Sequence, residues 1–390
     1  MDASDFTKNS LGQLVRATLP RAPHAFVPIP LPGSFEMSAD LWPFVVDAHQ
    51  AIARLDGVGR HMPNHALLLR PLQTREALKS SSMEGTYATP EELLIYQAEP
   101  KDPQSQDDPA NAWREVSNYD RALSVGQGLL EDGYSLSLQL VRALHNQLLE
   151  GVRGNDKFPG QFRRTQVQIG ADARFVPPPP EHLGQCLDDF QSAIQAETTI
   201  DPLVWAFMVH YQFETIHPFT DGNGRVGRLL LSLQIFQRLR LTRPWLYMSS
   251  FFERHKDEYI EGLYKVSTEG NWGKWLHFCL LGAAEQARDA VRRIDALISA
   301  RDRYRQSVGE SGASARLHLI IDKLFESPMM TIPGAASLTG VTYPTAQSDI
   351  NRLIALQILR EGPTGRRPQY FFAPEIFRIA YVDVDSHEAQ

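Results

Sequence analysis

Hydrophobic positions along this chain recur mostly every three to four residues, the spacing that gives an α-helix one buried stripe. Residues 37–55 make the first such stretch. A second is expected from Asn64, as cap, through Leu67, Leu68, Leu69 and Leu72. A separate helix is expected through Arg75, Ala77, Leu78 and Met83, ending where Gly85 can take the left-handed conformation that stops a helix. Residues 113–130 and 138–149 supply two more amphipathic segments. Asp201-Pro202 reads as a capping residue followed by proline at the first helical position, after which Leu203, Ala206, Phe207, His210 and Phe213 share one face. Beyond Gly224 the apolar residues Val226, Leu229, Leu230, Leu233 and Phe236 continue the same period. Further helices are expected from Ser249 through Tyr264, from Asn271 through Leu280 and, highly charged, over residues 292–305.

Other stretches break this period. Residues 22–35 are punctuated by prolines and predict an extended strap across the surface. Residues 89–111 turn polar and predict an exposed linker. Thr165, Val167 and Ile169 alternate with polar neighbours, a turn follows at 170–173, and Phe175-Val176 run into four prolines, which together predict a short β-hairpin. From about residue 313 the chain reads as helices over 317–325, 332–338 and 343–359, with a turn at Gly340. A ribbon then runs from Leu359-Arg360 to Tyr370-Phe371-Phe372. That order resembles a winged helix-turn-helix domain, which would turn Thr345, Gln347, Ser348 and Asn351 toward a DNA groove and set Arg366 and Arg367 at a backbone phosphate. The third helix is poor in basic residues, so packing, dimerisation or target recruitment suits the domain at least as well.

Length and charge narrow the picture. A chain of 390 residues is too long for one ordinary domain, and a net charge of −7 argues against coating nucleic acid through the overall field. Cys186 and Cys279 sit among apolar residues without metal or redox spacing, which predicts buried free thiols and a reducing compartment. The first residues lack a signal-peptide pattern, and no apolar run approaches the roughly 20 residues of a spanning helix. A cytoplasmic protein with no membrane association is the expectation.

The chemistry is concentrated in residues 217–228, His-Pro-Phe-Thr-Asp-Gly-Asn-Gly-Arg-Val-Gly-Arg. His217 alone among them can take up a proton near neutral pH and is the natural general base. Asp221 is a hard oxygen ligand, suited to Mg²⁺ beside phosphates. Gly222 and Gly224, with Asn223 between them as a further donor, predict an anion-binding nest at a helix start, where Arg225 and Arg228 can grip successive phosphates. His210 is expected as hydrogen-bonded core support and Phe219 as a core anchor. Upstream, Ser80 and Glu84 share a helix face at i and i+4.

Residues 217–228 resemble the signature of the Fic (filamentation induced by cAMP) family, His-Pro-Phe-x-Asp-Gly-Asn-Gly-Arg-x-x-Arg, at every defined position. The resemblance implies a mainly α protein, a helical Fic core with a short β-hairpin flap, an N-terminal helical arm and a C-terminal winged helix-turn-helix domain. The corresponding division is an arm with an inhibitory helix over 1–110, a catalytic domain over 111–290, a connecting helix over 291–312, the winged helix over 313–378 and a tail over 379–390. The implied activity is protein adenylyltransferase: AMP passes from ATP to a Tyr, Thr or Ser hydroxyl of a target protein, itself included, and pyrophosphate leaves. ATP would be bound by Asp221, Gly222, Asn223, Gly224, Arg225, Gly227 and Arg228, with Mg²⁺ on Asp221. Gly224, where kinase-like members carry lysine, favours AMP over phosphate transfer. Ser80-x-x-x-Glu84-Gly85 resembles the family's inhibitory signature, whose glutamate would pair with Arg228 and block a productive ATP pose. Thr165, Val167 and Ile169 fall on the flap, to which a target segment would add as a strand. Tyr259, Ile260 and Leu263 match the adenine-pocket stretch, although residues 267–270 carry an extra residue before Asn271-Trp272. Two other readings stay open: hydrolytic removal of AMP from a target, and a nucleotide-sensing regulator that binds DNA through the winged helix. A second copy of the chain is a further partner the reading admits.

Overall fold

Two buried helices form the centre of the molecule. The first, Pro202–Ile216, starts at Asp201, whose carboxylate accepts hydrogen bonds from the backbone N–H groups of Leu203 and Val204 at 3.0 and 3.1 Å. It is apolar on nearly all sides and is buried on all sides. The second, Asn223–Arg238, packs along it, and the loop between them carries residues 217–222. Helices Ala110–Glu131, Leu138–Leu148 and Pro180–Gln195 cover one side of this pair, and Lys256–Glu269 with Trp272–Glu310 cover the other. The structure is a computed structural model that describes residues 1–19, 22–60, 66–152, 158–310, 314–362 and 368–383.

The mainly α class is as expected, and several elements differ from the sequence reading in instructive ways. Trp272–Glu310 runs unbroken for 39 residues, so the separate connecting helix expected over 291–312 is its second half. Ala283, Ala287, Val291, Ile294 and Leu297 carry one buried face straight through, against Trp42–Arg60. Ala66–Met83 is likewise one helix where two were expected. Pro71 removes a single N–H, and the helix continues because Leu69, Leu72 and Ala77 bury on both sides of it. The expected cap Asn64 lies outside the described residues. In the other direction, the helix expected from Ser249 through Tyr264 is broken at His255 into Ser249–Arg254 and Lys256–Glu269.

The polar linker expected over 89–111 contains a helix, Pro90–Ala98, started by a reciprocal capping box between Thr89 and Glu92 and anchored by Leu93, Leu94 and Tyr96. The proline-rich strap is a strand: Ala22–Pro28 pairs antiparallel with Gly12–Leu19, and Ala25 and Phe26 are fully buried. Conversely, the hairpin expected over 163–180 is reduced to one antiparallel bridge, Ile169 with Phe175, around a turn in which Gly170, Asp172 and Ala173 all have positive φ. The prolines that follow have no N–H with which to extend a ladder.

The C-terminal region has the expected order. Helices Arg316–Glu326, Ile332–Thr339 and Tyr343–Ala355 accompany a sheet in which Tyr370–Phe372 lies between Met329–Thr331 and Arg360–Glu361. The third helix stops at Ala355, short of 359, because Gln357 turns left-handed and Ile358 and Leu359 bury. Gln347, Ser348 and Asn351 are exposed on it, Thr345 is half-buried, and Arg366 and Arg367 lie outside the described residues. Part of the expected tail is a further helix, Pro374–Tyr381. It packs with Arg316–Glu326 against Ala66–Met83, and Asp383 pairs there with Arg75 and, at 3.0 Å, with Lys79. A single hydrophobic cluster extends from Leu41 to Ile376. Cys186 and Cys279 are free and buried, and no helix among the described residues is long and apolar enough to cross a membrane.

Asp201 also accepts from His49 Nε2 at 2.8 Å, a pairing that raises the histidine's pKa above its ordinary value. The stabilisation from His49 is therefore full below its unfolded pKa of about 6.5 and is lost as pH rises through the higher folded value. Asp201→Ala is expected to lower unfolding free energy by about 1–2 kcal/mol through the lost cap and to remove this part of the pH dependence, as read by urea denaturation at pH 6 and pH 8.

Candidate active site

His217 ends the first central helix in a left-handed conformation, φ 50° and ψ 61°, which costs a non-glycine residue of order 1 kcal/mol and throws its ring off the helix axis. Its Nδ1 lies 3.3 Å from the backbone carbonyl of Glu214. A carbonyl only accepts, so Nδ1 carries the proton and Nε2 keeps its lone pair. Burial lowers the ring's pKa to about 4 despite that hydrogen bond, and the nearby charge of Arg163 adds to the fall. The imidazole is consequently neutral, in the form a general base requires.

The loop after His217 is held from inside. Asn223 accepts from the Phe219 N–H at 2.8 Å and donates to the Phe219 carbonyl at 2.9 Å, so the amide expected to face a ligand is committed within the loop. Gly222, at φ 78°, precedes the second helix, and its N–H donates to Asp221 Oδ1 at 2.7 Å. Phe219 is fully buried, as expected of an anchor, and stacks on His145 with centroids 3.7 Å apart. His145 accepts at Nδ1 from the Gly160 N–H and lies 3.0 Å through Nε2 from the Asp221 carbonyl, which fixes its tautomer; burial lowers its pKa to about 4. On the other flank Arg163 donates to the carbonyls of Thr165, Pro178, Ile216 and His217, tying the 163–180 segment to the loop.

The two arginines have different fates. Arg228 is 2% exposed and donates to Ser80 Oγ at 2.9 Å, to the Ser80 carbonyl at 2.8 Å and to Glu84 Oε1 at 2.8 Å. Burial pushes the Glu84 carboxyl up, but the charge of Arg228, its hydrogen bond and the charge of Arg225 bring it below the ordinary carboxylate value. Glu84 follows the last residue of its helix, and Gly85 is left-handed at φ 80°, as expected. Arg225 points the other way. Its Nη1 donates to Glu115 Oε2 at 2.8 Å, and it does not line the cavity described next.

His217, Gly224, Arg228 and Glu84 open on one cavity of about 420 Å³, a volume suited to a small molecule. Tyr259, Ile260 and Leu263 line it, with Ile169, Gly170, Arg174 and Phe175 opposite. Of the flap positions, Ile169 thus reaches the cavity, whereas Thr165 and Val167 do not line it. The Tyr259 hydroxyl is committed to His210 Nε2 at 2.9 Å, and His210 Nδ1 lies 3.2 Å from the Gly227 carbonyl, so His210 is the core support expected of it. Lys256–Glu269 ends on Gly270, which is left-handed at φ 66°.

Residues 42–128 match the family model described as Fic/DOC family N-terminal, and residues 135–235 match the one described as Fic/DOC family. This chain is a Fic-domain protein. A protein adenylyltransferase Fic of Culex quinquefasciatus is 29% identical to it over 167 residues, 42% of this chain and 31% of that one. Protein adenylyltransferase fic-1 of Caenorhabditis elegans is 46% identical over 76 residues, 19% of this chain and 14% of that one. The chain thus spans less than a third of the length of these curated relatives. Among solved structures, a Fic family protein from Desulfovibrio desulfuricans G20 covers 87% of this chain and 97% of its own at a TM-score of 0.56 and 19% identity. Fic-1 of C. elegans covers 65% and 73% at a TM-score of 0.53 and 21% identity. Both are likenesses of fold.

Three supports of this Fic domain escaped the sequence reading: Arg163, His145 and Glu115, whose partners lie 54, 76 and 110 residues away. Arg174, Tyr264 and Ser267 are further cavity residues that no local pattern marks. The second helix also carries an uncommon close approach. A Cβ at Gly227 would collide with Glu214 Oε1 and lie 3.0 Å from Phe213 Cδ1. Gly227→Ala is expected to cost about 1–3 kcal/mol in chemical denaturation, and the double variant with Glu214→Ala to recover part of that loss.

Proposed function

We propose that this chain transfers AMP from ATP to a Ser, Thr or Tyr hydroxyl of a target protein, itself included, and that Glu84 restrains the reaction. The observation that carries the reading is the convergence of a neutral His217 imidazole and the Arg228 guanidinium on one cavity, with Glu84 in the guanidinium's grip. In this scheme His217 Nε2 takes the proton of the target hydroxyl. That oxygen attacks the α-phosphorus in line, its new P–O bond forms as the bond to pyrophosphate breaks, and Arg228 balances the phosphate charge. Arg225, paired with Glu115, contributes through loop shape and field unless that pair opens. Asp221 is about one-third exposed beside the loop and fits Mg²⁺, which phosphates and water hold with one or two protein oxygens; bound there, the ion would offset phosphate charge. Ile260, Leu263 and the ring of Tyr259 offer an apolar wall for the base. The backbone amides of residues 165–168 make no hydrogen bond among the described residues, which leaves an edge for an added target strand.

Glu84 restrains the site because a carboxylate hydrogen-bonded to Arg228 occupies the donor a terminal phosphate needs. The same carboxylate faces the cavity that holds His217, so water-driven removal of AMP is the second reading this geometry favours.

Incubation with isotopically labelled ATP and Mg²⁺ followed by intact-mass spectrometry tests the transfer and its restraint. Glu84→Gly is expected to raise self-labelling by one adenylyl mass at least about tenfold over the parent. His217→Ala in that background is expected to cut labelling by about 100-fold or more while ATP affinity stays within a factor of two. Unchanged labelling in Glu84→Gly would remove the restraint, and sustained labelling in His217→Ala would remove the base.

A further inference from the structure

Glu214 sits one turn before His217 and has no role in the scheme above. It is 8% exposed, and Oε1 is closed off from solvent and without a hydrogen-bond partner. The residue lines the same cavity as Arg228, Glu84 and His217. Its carboxyl makes no hydrogen bond or ion pair to any described residue. A buried polar group left unpaired costs about 1–3 kcal/mol, so a protein that retains one at a cavity wall has a use for it there. Position 227 also gives this carboxyl room, because a Cβ there would collide with Oε1 and one of the two would have to move.

The surroundings specify the chemistry of the missing partner. Glu84 faces the carboxyl from the end of Ala66–Met83, Arg228 from Asn223–Arg238, and Tyr259 from Lys256–Glu269. On its own helix His210 and His217 have pKa values lowered to about 3 and about 4 and carry no charge. Burial pushes Glu214 up to about 8, with Arg228 pulling it down and Glu84 adding to the rise, so the group holds its proton at neutral pH. A protonated carboxyl donates through O–H, as an ionised one cannot, and does not repel phosphate. Its neighbours Arg228 and Glu84 are the charged groups around which the scheme above places the phosphates.

We propose that Glu214 is a nucleotide-contacting residue whose neutral carboxyl donates a hydrogen bond to an oxygen of the bound phosphate chain, an assignment that rests on the nucleotide reading of this cavity. Glutamine in its place keeps a neutral donor that does not titrate. Alanine keeps neither donor nor shape.

The test is calorimetric binding of Mg-ATP between pH 5 and 9.5 to full-length Glu84→Gly protein, with and without Glu214→Gln or Glu214→Ala; the range extends below neutrality because loss of Glu84 removes one cause of the raised carboxyl pKa. The ratio of affinities to the Gln variant isolates the carboxyl, since ATP's own protonation is common to both. Glu84→Gly protein should lose affinity relative to the Gln variant as pH rises, by up to tenfold per unit above the carboxyl's pKa. Glu214→Ala should bind at least about fivefold more weakly than Glu84→Gly at pH 7, and adenosine should bind all three alike. Thermal midpoints should not fall in Glu214→Gln, because no internal hydrogen bond is removed. A flat ratio across the range, or ATP binding unchanged in Glu214→Ala, overturns the proposal. Adenosine affected as strongly as ATP overturns the assignment to phosphate. Failure of Glu84→Gly protein to bind ATP at any pH overturns the nucleotide reading itself, and the inference with it.

Discussion

A guanidinium shut away from water is the constraint on which this molecule turns. Arg228 cannot be neutralised within any ordinary pH range, and an unpaired charge at 2% exposure would cost several kcal/mol. Its position on the second central helix is fixed by the packing of that helix, so the partners have to come to it. They come from one helix end: a hydroxyl and a carbonyl from Ser80 and a carboxylate from Glu84. The segment Ala66–Met83 is thereby held against the core by a polar contact as well as an apolar one. Behind it, buried Glu76 accepts from Tyr119 and Ser249, so the same helix also fixes the start of Ser249–Arg254.

The same constraint explains why two acidic groups beside one arginine behave differently. Glu84 makes the direct contact and is held ionised, whereas Glu214 shares only the field of Arg228 and is left with the penalty of burial. One charge compensates one charge. The second carboxyl can remain only as a neutral group, and the glycine at 227 gives it room.

How much of this was legible in the sequence depended on how far apart the cooperating residues lie. The 217–228 motif could be read because its residues act within a few positions of one another. Ser80 and Glu84 could be placed together because helical periodicity puts i and i+4 on one face. Arg163 and His145 could not, because their partners are backbone carbonyls, which every residue has, brought close by tertiary packing. Nothing local announces Glu115 as the partner of Arg225. The capping box at Thr89 and Glu92 is legible, but the polar composition around it points the other way. The long helix Trp272–Glu310 changes composition part-way, while its apolar period continues.

Segments from far apart in the chain wall the cavity. Leu11 N–H donates to the Ser267 carbonyl, Phe26 N–H to the Val176 carbonyl and Tyr264 to Asp5, while Asp383 braces the helix that leads to Glu84. Arg228 and Glu84 are themselves separated by 144 residues. Closing loops of that size costs entropy before any contact repays it. The helical interior can therefore assemble from local contacts while the binding chamber is still open. Nascent or partly unfolded copies would possess the motif without the enclosure, so completion of the tertiary structure is itself a checkpoint on chemistry.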